Sequence, residues 1–223
     1  MMFIRKNNTI IWGRILLCAL ITTVLVLCGV FWGDVVLNPL IRDTGCLSTS
    51  NGWLCSVAFV FGKIFSTKVW LIGTLLSVLF FFVYKSIRNE FDFRYAFVKI
   101  KNSYVFYIFC SVLLAYLITG FLKILIGRAR PLVEGAPYFS PWNYDKYLHS
   151  MPSGHTAVSF AGLVMIGMLF PRVKWATWLL AIIIGVSRIY VGAHWPSDVV
   201  FGAFVGMFCA DVIKSMLKRI NTK

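Results

Sequence analysis

Six stretches of this 223-residue chain run almost without charge, and they decide what it can fold into. They are Ile15–Gly33, Val69–Tyr84, Asn102–Leu122, Tyr147–Pro171, Trp175–Ala193 and Val199–Ile213. Arg188 interrupts the fifth, Asp211 the sixth, and the fourth carries only the histidines His149 and His155. With 59% hydrophobic and 13% charged residues, a soluble domain of this size has too little interior to hide such segments. In lipid the constraint reverses. About 20 mainly apolar residues make one helical span, because the helix satisfies its own backbone polar groups. The predicted fold is all-α: a polytopic membrane protein, a bundle of six transmembrane helices. Between the first two spans, the STSNG segment is too polar to cross. It predicts a turn leading into a short interfacial helix, Trp53–Phe65.

The net charge of +14 would point to nucleic acid in a soluble protein. Beside six spans it is topological, because Lys and Arg gather in cytoplasmic loops. Six spans put both termini on one side, and most basic residues lie on that side, from Arg5 and Lys6 to Lys218 and Arg219. Both termini are expected in the cytoplasm, with no nucleic-acid partner. The N-terminal segment lacks a small-x-small cleavage site, so an uncleaved first span is expected. Cys18, Cys28, Cys110 and Cys209 fall in spans as small apolar filler. Cys46 and Cys55 lie in the first outer segment, where they either pair or stay as two thiols.

Polar residues return at three places. KILIGRARP, Lys123–Pro131, closes span three; PSGH, Pro152–His155, opens span four; SRIYVGAHWPSD, Ser187–Asp198, joins spans five and six. Odd spans run outward and even spans return, so the three clusters share the outer face. Ionisable groups at such depth are costly and mark function. The set comprises cations (Lys123, Arg128, Arg130, Arg188), two imidazoles (His155, His194), the carboxylate Asp198 and Ser153. Arginine forks and a lysine suit phosphate oxygens. Ser153, Gly154 and His155 stand at a predicted helix N-terminus, where free N–H groups favour an anion. Asp198, four residues after His194, can fix its tautomer and leave the other ring nitrogen nucleophilic. Protonated His155 can donate to a leaving oxygen. Too few carboxylates gather for a two-metal site, so the expected mechanism uses no metal and no cofactor. Arg128 reads equally as a snorkelling anchor, and Lys146 reads as one. His149 reads as a loop residue, and Asp211 as lying near the inner end of span six.

In these three segments the chain resembles the type-2 phosphatidic acid phosphatase superfamily of integral membrane lipid phosphatases. Its signature is K-x6-RP, PSGH and SR-x5-H-x3-D. Here it reads Lys123-x6-Arg130-Pro131, Pro152-Ser153-Gly154-His155 and Ser187-Arg188-x5-His194-x3-Asp198. The resemblance covers about residues 69–213 and implies one phosphatase domain over residues 1–223, without metal. It implies His194 as the nucleophile forming a phosphohistidine, Asp198 orienting it, and His155 protonating the leaving group and then activating water. It further implies Lys123, Arg130, Ser153, Gly154 and Arg188 as phosphate ligands, with Arg128 a possible further one. The site would face the periplasm of a bacterial inner membrane and take a lipid phosphate. The expected substrate is lipid A at its 1-phosphate. The alternatives are undecaprenyl pyrophosphate, phosphatidylglycerophosphate or phosphatidic acid, or a protein that binds or transports phospholipid without turnover. Selectivity is expected from the outer segments Asp34–Lys68 and Leu132–Ser150. The second is rich in aromatic residues suited to a membrane interface or to stacking on sugar rings.

Overall fold

The computed structural model describes residues 12–37, 46, 52–88, 103–133, 135–136 and 138–221. Their regular structure is helical: α1 (Trp12–Cys28), α2 (Trp53–Ile64), α3 (Thr67–Arg88), α4 (Tyr104–Ile126), α5 (Gly154–Leu169), α6 (Lys174–Tyr190) and α7 (Pro196–Asn221). A π-helical turn, Gly29–Gly33, carries α1 onward, so that Gly13–Leu37 is continuously helical. Five of these helical segments are long and apolar enough to cross a membrane. The shorter, apolar α5 completes the predicted six. The helix expected at Trp53–Phe65 forms as α2 and packs against α6.

The fourth span departs from its predicted bounds of Tyr147–Pro171. The helix starts only at Gly154, and the residues before it form a 3-10 turn, Lys146–Leu148, and an irregular stretch. Absence of charge signalled a span there, but Pro152 has no N–H to continue a helix and keeps Met151 out of the α region. At about 1.5 Å per residue, α5 falls several ångströms short of a hydrocarbon core of about 30 Å. Its position explains the deficit. It packs against α3, α4, α6 and α7, and 12 of its 16 residues are buried. Buried in protein, its outer end can rest on non-helical backbone that lipid would not tolerate. That backbone is hydrogen-bonded: Ala129 N–H donates to the Tyr138 carbonyl at 2.9 Å, Ser150 N–H to the Arg128 carbonyl at 3.0 Å, and Ser153 N–H to the Asp198 carbonyl at 3.0 Å.

Polar ties fix α5 among its neighbours. Ser111 of α4 donates to the Ala161 carbonyl at 3.0 Å, and the Trp70 indole of α3 donates to Ser159 at 3.1 Å. Such interhelical bonds serve where apolar burial cannot drive helices together. A core of Tyr107, Phe160, Leu163, Val164, Met165, Ala181, Ile184 and Ala210 surrounds them. By contrast α1 lies at the edge. Its membrane-grade window has no buried residue, and it packs chiefly on α7. Cys46 and Cys55 are joined by a disulfide, with Cα atoms 5.4 Å apart, and the Cys46 N–H bonds the Tyr190 carbonyl at the end of α6.

Candidate functional site

The three polar segments meet at one end of the bundle. Lys123 stands in the last turn of α4, Ser153 caps α5 with Gly154 and His155 in its first turn, Arg188 is in the last turn of α6, and His194 precedes α7, whose first turn holds Asp198. α4 stops at Gly127 in a left-handed conformation, which turns the chain into the strip carrying Arg128 and Arg130. Lys123 and Arg130 line a cleft of about 480 Å³. Gly154 lies on its wall, and Thr67, Lys68, Leu71, Tyr116 and Lys146 form the remaining approach.

The cations are held by carbonyls, not carboxylates. Lys123 Nζ donates to the His149 carbonyl at 2.6 Å. Arg130 reaches the carbonyls of Lys146 at 3.3 Å and Ala193 at 3.5 Å. Arg188 donates to the Ala58 carbonyl of α2 at 2.8 Å and to Ser187 Oγ at 3.2 Å. A carbonyl anchor positions a cation without bringing an opposite charge to it. The Arg188 guanidinium lies flat on Gly62. A side chain there would place its Cβ 2.1 Å from an Arg188 nitrogen and displace the guanidinium from its seat on α2. The His155 ring faces the Gly62 backbone and stands among Arg188, Lys123 and Arg130. Ser153 is fully buried, and Thr156 donates to its hydroxyl at 2.9 Å.

His194 is 3% exposed, and its Nδ1 lies 3.6 Å from Asp198 Oδ2, longer than a hydrogen bond. No other group satisfies that nitrogen. Burial pushes the imidazole down to about 3 and outweighs the opposing pull of Asp198, so the ring is neutral at pH 7. A neutral ring has a lone pair to offer, as a nucleophile must. Asp198 itself is fully buried. Its Oδ2 accepts from Ser150 Oγ and from the Trp195 N–H at 2.9 Å, and its Oδ1 accepts from Arg128 at 2.6 Å. Among the described residues, no three His, Cys, Asp or Glu side chains gather as a metal site would need.

Arg128 departs from its expected place beside the phosphate ligands. It is 0% exposed and bonds Asp198 and Ser197 through one nitrogen, both at 2.6 Å, and Asp34 through the other at 2.7 Å. Between two carboxylates its fork is occupied. The snorkelling alternative fails as well, because the side chain points inward. Asp34 was read from sequence as the start of an outer loop, yet it lies on the helical extension of α1 and is fully buried. Sequence reasoning passed over Asp34, Ser150, Ser197 and Gly62. One signal was available for Asp34: it is among only 8 acidic residues and abuts a membrane-grade segment. His149, read as a loop residue, does sit in the loop, and its Nε2 lies 2.9 Å from the Asn143 carbonyl.

Known proteins share this arrangement of helices. The protein named lipid A 1-phosphatase in Rhizobium etli is 36% identical over 156 residues, which is 65% of this chain and 64% of that relative. The match thus spans less than two thirds of the relative's length. The undecaprenyl-diphosphatase of Sulfolobus acidocaldarius is 30% identical over 99 residues, 43% of this chain and 47% of that protein. The crystal structure of Aquifex aeolicus LpxE superimposes with a TM-score of 0.57 at 24% identity, covering 83% of this chain and 97% of that one. The chain is accordingly a multi-pass membrane protein of the same fold. The model of the PAP2 superfamily matches residues 104–221, more than half of the sequence and inclusive of every polar segment described above, and the chain therefore belongs to the PAP2 superfamily.

Proposed function

We propose that the protein is a metal-independent lipid phosphatase, with residues 1–223 acting as one domain and its site at the periplasmic face of a bacterial inner membrane. The observation that carries this reading is the buried, neutral His194 beside a cleft lined by carbonyl-anchored cations. Lys123, Arg130 and Arg188, with Ser153 and Gly154 at the start of α5, bind the phosphate. A ring nitrogen of His194 attacks phosphorus; the P–O bond to the lipid breaks as the P–N bond forms. His155 gives a proton to the departing oxygen, then takes one from the water that hydrolyses the phosphohistidine. Asp198 holds the imidazole and offsets the positive charge that develops on it. In phosphoryl transfer the enzyme mostly positions groups and neutralises charge, and three cations supply what magnesium supplies elsewhere. A protein that only binds phospholipid would need the cations alone. The buried pair of His194 and Asp198 favours turnover.

For the substrate, the reading is lipid A at its 1-phosphate. The Rhizobium relative carries that name, and Tyr138, Phe139, Trp142, Tyr144 and Tyr147 are exposed in the segment that also supplies Lys146 and His149 to the cleft, where they suit sugar rings. The Sulfolobus relative keeps undecaprenyl pyrophosphate as the second reading. Purified protein should release phosphate from lipid A faster than from undecaprenyl pyrophosphate or phosphatidylglycerophosphate at equal surface concentration. A strong preference for either of the latter overturns the substrate while leaving the chemistry. Turnover should persist in excess EDTA. Loss of activity there, restored by added magnesium, removes the metal-free mechanism.

A further inference from the structure

Asp34 takes no part in the chemistry above, yet it is as deeply buried as Asp198. Its helix otherwise offers the molecule little, since the membrane-grade part of that segment buries nothing. The carboxylate is 0% exposed and belongs to a membrane-grade helical segment. A charge kept in such a place needs compensation. It has three donors: Arg128 at 2.7 Å, the Ser197 N–H at 3.2 Å and the Ser197 hydroxyl. The approach is deliberate in its sterics. At Gly29 a side chain would bring its Cβ to 2.8 Å from the Ser197 Cβ, and the π-helical turn that follows leads straight to Asp34.

The effect falls on Asp198 through Arg128. One arm of the guanidinium is held on Asp34, so only the other reaches Asp198, and it takes Oδ1. Oδ2, which accepts from Ser150 and the Trp195 N–H, stays clear of the guanidinium and is the oxygen nearest the His194 ring, at 3.6 Å. Freed from Asp34, the fork could close on both oxygens of Asp198 in the bidentate manner arginine favours. The charges point the same way. Asp34 and Asp198 share one guanidinium; without Asp34, Asp198 alone faces it. We propose that Asp34 is a positioning residue for the nucleophilic histidine, holding one arm of Arg128 so that Asp198 keeps an oxygen and its charge for His194. This rests on the phosphohistidine reading given above.

The test uses the full-length protein in detergent, with lipid A as the lipid phosphate. Asp34→Asn keeps the shape and removes the charge. Its kcat should fall roughly 10- to 100-fold while KM stays within about threefold, because the phosphate cations do not touch Asp34. In an Arg128→Gln background the same change should cost less than about twofold, since the route through the guanidinium is already gone. A normal kcat in Asp34→Asn, an effect confined to KM, or equal losses in both backgrounds overturns the proposal. Should Asp34→Asn not fold, Ser197→Ala removes a second brace on Asp34, and roughly a threefold or greater kcat loss at unchanged KM is then required. His194→Ala separates the two ideas. If it is inactive and Asp34→Asn is normal, only the role of Asp34 falls. If it turns over normally, or the wild type releases no phosphate, the underlying reading falls with it.

Discussion

The last four helices and the first three build the site in different ways. From α4 onward come the side chains of all three motifs, each on a helix end or on the short strip beside one. From α1 to α3 come supports and cleft wall: Ala58 and Gly62 hold Arg188, Asp34 holds Arg128, and Thr67, Lys68 and Leu71 line the approach. The PAP2 match begins at residue 104 and so leaves that first part out. On the proposed mechanism, the reacting side chains come from one part of the molecule and their alignment from another. Side chains that react must be of particular types, whereas a carbonyl can come from any residue.

The sharpest way to test this division is at its reacting end. His194→Ala should reduce turnover by about three orders of magnitude or more while leaving binding of the lipid phosphate nearly intact, since nothing else can accept the phosphoryl group. Single-turnover phosphate release together with vesicle binding would check it. Turnover close to normal would remove the nucleophile. Asp198→Asn should come next, because an amide can hold the wrong imidazole tautomer, and removal of the carboxylate also leaves the buried Arg128 with one partner fewer.

A supporting residue should come third. Gly62→Leu drives a side chain into the space of the Arg188 guanidinium, so kcat/KM should fall roughly 10- to 100-fold although no motif residue has changed. Unfolding measured in parallel distinguishes displacement of Arg188 from loss of the fold. Activity near wild type would mean that α2 merely covers the site, and the comparison between the two regions would lose its force.

Charge at His194 yields a smaller, pH-dependent effect. Burial pushes its pKa from 6.5 down to about 3. Between those values the unfolded chain binds a proton that the folded protein refuses, so stability is full above about pH 6.5 and declines as the pH falls toward 3. The Tm in detergent should therefore drop more between pH 7 and pH 5 for the wild type than for His194→Ala. Equal drops would show that His194 is not held neutral by the fold.

The uncharged stretches and the motif spacings were enough to give the helix count and to place the three polar segments at one end of the bundle. They rest on composition and on fixed residue types, which a single sequence displays. The uncharged block Tyr147–Pro171 overran α5, because absence of charge looks the same in a lipid-facing span and in a loop buried by protein; Pro152 and the helix start expected at Ser153–His155 marked the difference. Arg128 was hidden for another reason. It stands two residues from Arg130, with the same chemistry, and which of them turns inward depends on Asp34, 94 positions away. Local spacing carries no trace of such a partner. Gly62 likewise looks like any glycine in an apolar helix until a guanidinium is found lying on it.

The smallest expected effect concerns the disulfide between Cys46 and Cys55, which sequence left open between a bond and two thiols. It ties the segment ahead of α2 to the first turn of that helix, while the Cys46 N–H bonds the end of α6. Both attachments lie on the supporting side of the molecule. Neither cysteine contributes a side chain to the phosphate cations or to His194. A loop of this length is worth about 2–3 kcal/mol when closed, chiefly by restricting the unfolded chain. The paired Cys46→Ser and Cys55→Ser variant should lower the Tm by several degrees, in the direction that loss implies, and leave kcat within about twofold at temperatures where it stays folded. Non-reducing peptide mapping of the wild type should find the two residues in one linked fragment. A variant that loses turnover as severely as Gly62→Leu, with its Tm unchanged, would mean that the bond positions α2 against Arg188 directly. In that event the support for Arg188 begins with the disulfide, ahead of α2 itself.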